Sequence, residues 1–211
     1  MDFQYFLDNI PKIISSELLG ETAHLMMAPP ERADLFKNID FDTIIPKKSA
    51  IMMLLYPKNH KTHLVLIKRN EYKGVHSAQI SFPGGKIDPT DESLEHTALR
   101  ETFEEIGIEK QDIKIIRPFT ETYIPPSNFM VYPFLGYCKS EPVFKPDSRE
   151  VSTIIELSIE DFLEPKMVVI KRINTSYTTD IEVPIFKIDE HLVWGATAMI
   201  LSELKETLKK L

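Results

Sequence analysis

The stretch Phe82–Ile108, FPGGKIDPTDESLEHTALRETFEEIGI, constrains this chain more than any other. It opens on a Pro-Gly-Gly turn, crosses a polar loop and runs into a segment carrying Arg100, Glu101, Glu104 and Glu105. Asp91 is a residue type favoured at a helix N-cap, and Gly107 one favoured just past a helix end. The spacing therefore predicts a helix over Glu92–Ile106. On it Glu101, Glu104 and Glu105 stand at i, i+3 and i+4, with neighbouring Cβ atoms roughly 5–6 Å apart on one face. Ala98, Leu99, Thr102, Phe103 and Ile106 fall mostly on the other side.

Three carboxylates crowded together repel one another, so the arrangement costs stability unless something positive sits among them. Arg100 lies four residues before Glu104 and can pair with it. The remaining carboxylates suit a hard divalent cation, which prefers oxygen ligands and shares its other positions with water and phosphate. A solvated acidic helix face is the plainer alternative. The Gly-Gly turn at fixed distance favours the cation, because glycine lets backbone approach a ligand or an ion closely.

The segment Arg100-Glu101-Thr102-Phe103-Glu104-Glu105-Ile106-Gly107-Ile108 resembles the second half of the Nudix box, with Thr102 less apolar than that pattern expects. In the first half, counted from Gly85, the acidic position falls on Asp91 instead of Glu, and the gap to Arg100 is one residue longer. Upstream, Leu66–Asn70 runs into Gly74–Gly85 and resembles the extra signature of the coenzyme A pyrophosphatase branch of Nudix hydrolases. That branch precedes Phe-Pro-Gly-Gly with a spaced Arg, His and Gly-Gln. Here Lys68, Asn70 and Ala78 depart from it.

The resemblance implies an α/β fold, an α/β/α sandwich with a mixed sheet, and metal-dependent hydrolysis of a diphosphate linked to a further moiety. By position it makes Glu101, Glu104 and Glu105 ligands of Mg²⁺ or Mn²⁺, with the carbonyl of Gly84 or Gly85 completing the shell. Such an ion acidifies water and neutralises charge building on phosphoryl oxygens. Arg100 would orient a carboxylate. The general base is one of the box glutamates or Glu150. Arg69 offers a bidentate fork for a phosphate, or is a strand-end charge. His76 and Gln79 stand before the turn as substrate contacts, a structural role for the histidine being the alternative. Coenzyme A or an acyl-CoA is the implied substrate, giving 4′-phosphopantetheine and adenosine 3′,5′-bisphosphate. ADP-ribose, a nucleoside diphosphate sugar, or a non-catalytic binding module are the rivals.

At 211 residues the chain is long enough for one domain with a sizeable core. Its net charge of −7 argues against a nucleic-acid or anionic-membrane surface, though not against phosphate substrates, since a bound ion can be the dominant local charge. The expected partner is thus a small nucleotide diphosphate; a homodimer is left open. The one cysteine, Cys138, sits in an apolar stretch and suits a core position in a reducing compartment, so a cytoplasmic protein is expected. Met1–Asp8 carries two acids and no basic residue, which does not fit a signal peptide. No apolar run approaches the roughly 20 residues that cross a bilayer.

Residues 1–45 read as a helical N-terminal extension. Phe3, Leu7, Ile10, Ile14 and Leu18 keep helical spacing, and Pro11 kinks or restarts the helix. Ala50–Tyr56 reads as a buried strand, paired with Thr62–Arg69 across a turn at Pro57–Lys61. Further strands are predicted at Asp112–Pro118, Met130–Cys138 and Ser152–Leu157. Ser158–Leu163 reads as a short capped helix, and Met167–Ile173 with Ile181–Lys187 as an antiparallel pair turning at Thr175–Thr179. Tyr123–Phe129 is too proline-rich to be regular. It is a rigid connection or a wall of the substrate pocket, with Tyr123 or Phe129 stacking on a base. A closing helix carries Trp194, Ala198, Leu201, Leu204 and Leu208 inward and Lys205, Glu206, Lys209 and Lys210 outward.

Overall fold

Every residue from Met52 to Tyr56 is buried, because the strand that carries them is covered on both faces. The computed structural model describes residues 1–30, 32, 44–70, 79–173 and 180–211. Among these, β1 (Lys47–Lys58) and β2 (Lys61–Arg69) form the expected hairpin, with positive φ at Asn59 and His60 making the turn. Then come β3 (Ile80–Ser81), β4 (Gly84–Lys86), α4 (Leu94–Ile106), β5 (Ile113–Pro118), β6 (Thr122–Ile124), β7 (Phe129–Cys138) and β8 (Val151–Ser158). These strands form one mixed sheet: β1 runs parallel to β7, and the other pairings are antiparallel.

Alternation along β1 sends its side chains into two cores. Ala50, Met52, Leu54 and Tyr56 pack with Ala98 and Ile106 of α4. Met53 and Leu55 join Leu201 and Leu204 of the closing helix α6 (Gly195–Leu208), and Phe3, Phe6 and Ile13 from the N-terminal helices α1 (Phe3–Asp8) and α2 (Ile10–Ser15). Helix, sheet and helix give the α/β/α sandwich. Burying each such side chain fully contributes about 1.5–3 kcal/mol. As the sequence predicts, α2 restarts at Ile10 with Pro11 in its first turn, where a missing N–H costs nothing. A third short helix, α3 (Glu21–Leu25), lies against α6. After the small helix α5 (Ile159–Leu163), strands β9 (Val168–Ile173), β10 (Ile181–Ile188) and β11 (His191–Val193) make a separate three-stranded antiparallel sheet. The predicted turn at Thr175–Thr179 lies outside the described residues.

Several expectations are corrected. Helix α4 starts at Leu94 and is capped by the Ser93 hydroxyl, which accepts the His96 amide at 3.1 Å; Asp91 is committed elsewhere. Its end stands, with Gly107 in the left-handed region at φ 73°. On α4 the burial of two neighbours differs from the pattern: Phe103 is 42% exposed and Glu105 only 1%. Helix α5 follows Ser158 without a hydrogen bond from that side chain. Lys205 is buried instead of solvated: its ammonium donates to the Glu164 carbonyl at 2.9 Å and lies over the rings of Phe162 and Phe186. Tyr123–Phe129 is more ordered than predicted, with β6 and a 3₁₀ turn over Pro125–Ser127. Cys138 is a buried free thiol, as expected.

Candidate active site

Strand β4 brings the Gly-Gly turn beside β1, pairing Gly84 with Ile51 and Gly85 with Ala50, and α4 packs across both strands. The consequence is a close approach at Gly85. A Cβ there would lie 2.4 Å from the Glu101 carboxyl carbon, so only glycine leaves room for that carboxylate.

Arg100 organises the acids around it. Its Nε and Nη2 donate to the two oxygens of Asp91 at 2.9 and 2.8 Å, a bidentate pair. Its Nη1 donates to Glu101 at 2.8 Å and to Glu104 at 2.9 Å, and Nη2 also reaches the Lys86 carbonyl at 3.1 Å. Asp91 further accepts the Thr97 hydroxyl and the Asp88 amide, both at 2.9 Å. The Arg100 guanidinium holds the Asp91 carboxyl well below the usual carboxylate range. Nothing in the local sequence marks this role for Asp91 except its place in the resemblance, nine residues before Arg100.

Glu105 points the other way, into the protein. One oxygen accepts from Arg69 Nη1 at 3.0 Å and the other from the Gly84 amide at 2.8 Å. Burial pushes its carboxyl up to about 7, although Arg69 and the Gly84 N–H pull it down. Arg69 Nη2 lies 3.8 Å from Glu150, whose carboxylate is half exposed. Arg69 is therefore engaged with two glutamates, where the sequence offers it as a phosphate fork. Its backbone amide is taken by the Gln79 carbonyl at 3.0 Å. His76 lies outside the described residues.

Glu101 and Glu104 thus bring one oxygen each to a single nitrogen of Arg100, beside the Gly85 backbone. Burial pushes the Glu101 carboxyl above its ordinary value, while Arg100 draws it down. Among the described residues no three acidic, histidine or cysteine side chains converge into a complete metal cage. Two carboxylates with neighbouring backbone carbonyls nonetheless fit Mg²⁺ or Mn²⁺, since Mg²⁺ commonly takes one or two carboxylates and fills its shell with water and phosphate oxygens.

The aromatic candidates divide. Tyr123 is buried in β6, its hydroxyl donating to Asn128 Oδ1 at 2.9 Å. Phe129 begins β7 opposite Lys47, whose ammonium stands 5.7 Å from the ring centre.

Residues 46–175 match the NUDIX domain. The chain is 31% identical over 145 residues to the mitochondrial coenzyme A diphosphatase NUDT8 of Homo sapiens, covering 65% of this chain and 58% of that one. It is 27% identical over 172 residues to the uncharacterized Nudix hydrolase NudL of Enterobacter sp. (strain 638), covering 76% of this chain and 83% of that one. The chain thus spans little more than half of the human relative. Among solved structures, the Nudix hydrolase RenU of M. smegmatis superposes with a TM-score of 0.54 at 13% identity, over 79% of this chain and 88% of that one, a likeness of fold. Among the described residues no helix is long and apolar enough to cross a membrane. With the matched domain covering more than half of its length, the chain belongs to the Nudix hydrolase family.

Proposed function

We propose that the chain is a Nudix pyrophosphohydrolase acting on a nucleoside diphosphate derivative, with coenzyme A or an acyl-CoA as substrate. The observation that carries the reading is the meeting of Glu101 and Glu104 on Arg100 Nη1 beside Gly85. Nudix hydrolases generally use divalent metal ions, and Glu101 and Glu104 are the residues that would hold Mg²⁺ or Mn²⁺, with a carbonyl of Gly84 or Gly85. When bound, that ion lowers the pKa of water and offsets the charge of the phosphoryl oxygens.

The chain's own residues do the rest. Arg100 fixes both carboxylates, and Asp91 fixes Arg100. Glu105 holds the turn through the Gly84 amide. Glu150, half exposed and beside Arg69, or one of the box glutamates would take the proton from the attacking water. Water adds its oxygen to one phosphorus, the bridging P–O bond breaks, and the departing phosphate leaves with the electron pair. The coenzyme A assignment is supported by the signature running from Arg69 to Gly85 and by the coenzyme A diphosphatase activity for which the human relative is named. Asn70, which departs from that signature, is spent on the Ser148 carbonyl at 2.7 Å and so keeps the start of this loop tied to the approach to β8. A buried single thiol fits a reducing compartment such as the cytoplasm.

Purified protein with Mg²⁺ or Mn²⁺ and coenzyme A should release 4′-phosphopantetheine and adenosine 3′,5′-bisphosphate, identified by mass spectrometry. Faster turnover of ADP-ribose would overturn the substrate and leave the pyrophosphohydrolase reading; no turnover of any diphosphate would overturn both.

A further inference from the structure

A cavity of about 270 Å³ lies among α3, β6, β7 and α6, apart from the carboxylates and used by none of the chemistry above. Two connections place it at the same end of the sheet as the Gly-Gly turn. Met130 on one wall pairs with Lys48 of β1, whose carbonyl accepts the amide of Ile87; the adjacent Lys86 carbonyl is the one held by Arg100. Met199 on another wall stands two residues after Thr197, whose hydroxyl donates to the Ile80 carbonyl at 3.0 Å, four residues before Gly84.

A buried carboxylate joins the segments that line the cavity. Glu203 of α6 accepts the Gly20 amide at 2.8 Å and the Thr120 hydroxyl at 2.6 Å, and lies 3.4 Å from His24 Nε2. His24 Nδ1 in turn meets the Thr122 hydroxyl at 3.2 Å. These contacts tie α3 and the β5–β6 connection to α6, so the walls are set before any ligand arrives, which lowers the ordering cost of binding.

The lining selects a chemistry. Leu25, Tyr123, Met130 and Met199 make most of the lining apolar, which suits a flat ring. The polar side carries Glu21 and Glu121 against one guanidinium, Arg32, which already donates to the Tyr123 carbonyl at 2.8 Å. Two acids disfavour a phosphate and favour a neutral group bearing N–H donors. We propose that this cavity receives the nucleobase of the substrate, a neutral planar ring with an exocyclic amine such as adenine, leaving the diphosphate to the carboxylate end. The assignment rests on the proposed action on a nucleoside diphosphate derivative.

The test uses the whole chain labelled with ¹³C at the methionine methyls and adenosine, which carries no phosphate, as the probe. Adenosine should shift the Met130 and Met199 signals, assigned through Met→Leu variants, and leave those of Met52 and Met53 in the sheet interior unmoved. Inosine, lacking the amine, should bind more weakly. Leu25 lines the cavity and is 43% exposed, so Leu25→Trp narrows it from the rim at little risk to folding. It should weaken adenosine binding and raise KM for the nucleoside diphosphate by about tenfold, more than it changes kcat. Unmoved Met130 and Met199 signals at saturating adenosine in an enzyme that hydrolyses nucleoside diphosphates would overturn the cavity assignment and leave the activity standing. Shifted signals in a protein that hydrolyses no such compound would refute the activity and keep the nucleoside site. Should the tryptophan variant fail to fold, the wild-type titration decides alone.

Discussion

Asp91 and Arg100 are joined by two parallel hydrogen bonds, Nε to Oδ1 at 2.9 Å and Nη2 to Oδ2 at 2.8 Å, with the Asp91 side chain wholly buried. The pair fixes the guanidinium plane, and that plane directs Nη1 at Glu101 and Glu104. Asp91→Asn keeps the shape but replaces an acceptor with a donor facing Arg100. It should cost about 2 kcal/mol of stability in urea unfolding. It should also lower kcat by about tenfold or more, since Arg100 then no longer sets the two glutamates. Unchanged kcat with reduced stability would make Asp91 a purely structural anchor.

Gly85 tests the close approach directly. In Gly85→Ala the new methyl group occupies the space of the Glu101 carboxylate, which must swing away from Arg100. Activity should fall by on the order of a hundredfold, the cost of a displaced catalytic group. A crystal structure of the variant should show Glu101 moved and α4 in place. Retained activity would remove Glu101 from the reaction.

Glu104 offers the converse case. Its side chain is 51% exposed, and its i, i+4 contact with Arg100 contributes only about 0.3–0.5 kcal/mol. Glu104→Gln should therefore unfold within about 1 kcal/mol of the wild type while turnover drops by orders of magnitude. A chelator should likewise stop turnover without unfolding the protein, because the two cores do not depend on an ion. Circular dichroism with and without chelator, beside a turnover assay, checks both points; a lost helical signal in chelator would contradict the second.

The parts of the fold that were legible in the sequence are those fixed by local signals. The apolar run of β1, the restart at Pro11, the stop at Gly107 and the spacing of Arg100 and Glu104 each depend on neighbours a few residues away. What escaped depends on side-chain partners that the local pattern does not name. Asp91 is a good N-cap by type, yet Arg100 and Thr97 outbid the helix for its oxygens, and Ser93 caps α4 instead. Lys205 sits on the polar side of its own helix by pattern, but Phe162 and Phe186 cover it. Glu105 reads as one of three equivalent acids, and only the fold shows that β2 delivers Arg69 to it. Glu203 carries no motif at all; two separate segments, Gly20–His24 and the β5–β6 connection, converge on it.

That inward turn of Glu105 makes stability depend on pH in a distinctive way. Burial raises its folded-state pKa to about 7 from an ordinary 4.5, so between these values the folded protein binds a proton that the unfolded chain has released. Its contribution is fully present below about 4.5 and is lost as the pH rises through about 7, on the order of 3 kcal/mol in all. Glu105→Gln cannot lose that proton and keeps an acceptor for the Gly84 amide. In metal-free protein, the stability of the variant relative to the wild type should therefore increase between pH 4.5 and 8. Urea unfolding of both proteins across that range measures the difference. A constant difference would mean that Arg69 and the Gly84 amide, at 3.0 and 2.8 Å, hold Glu105 ionised in spite of its burial.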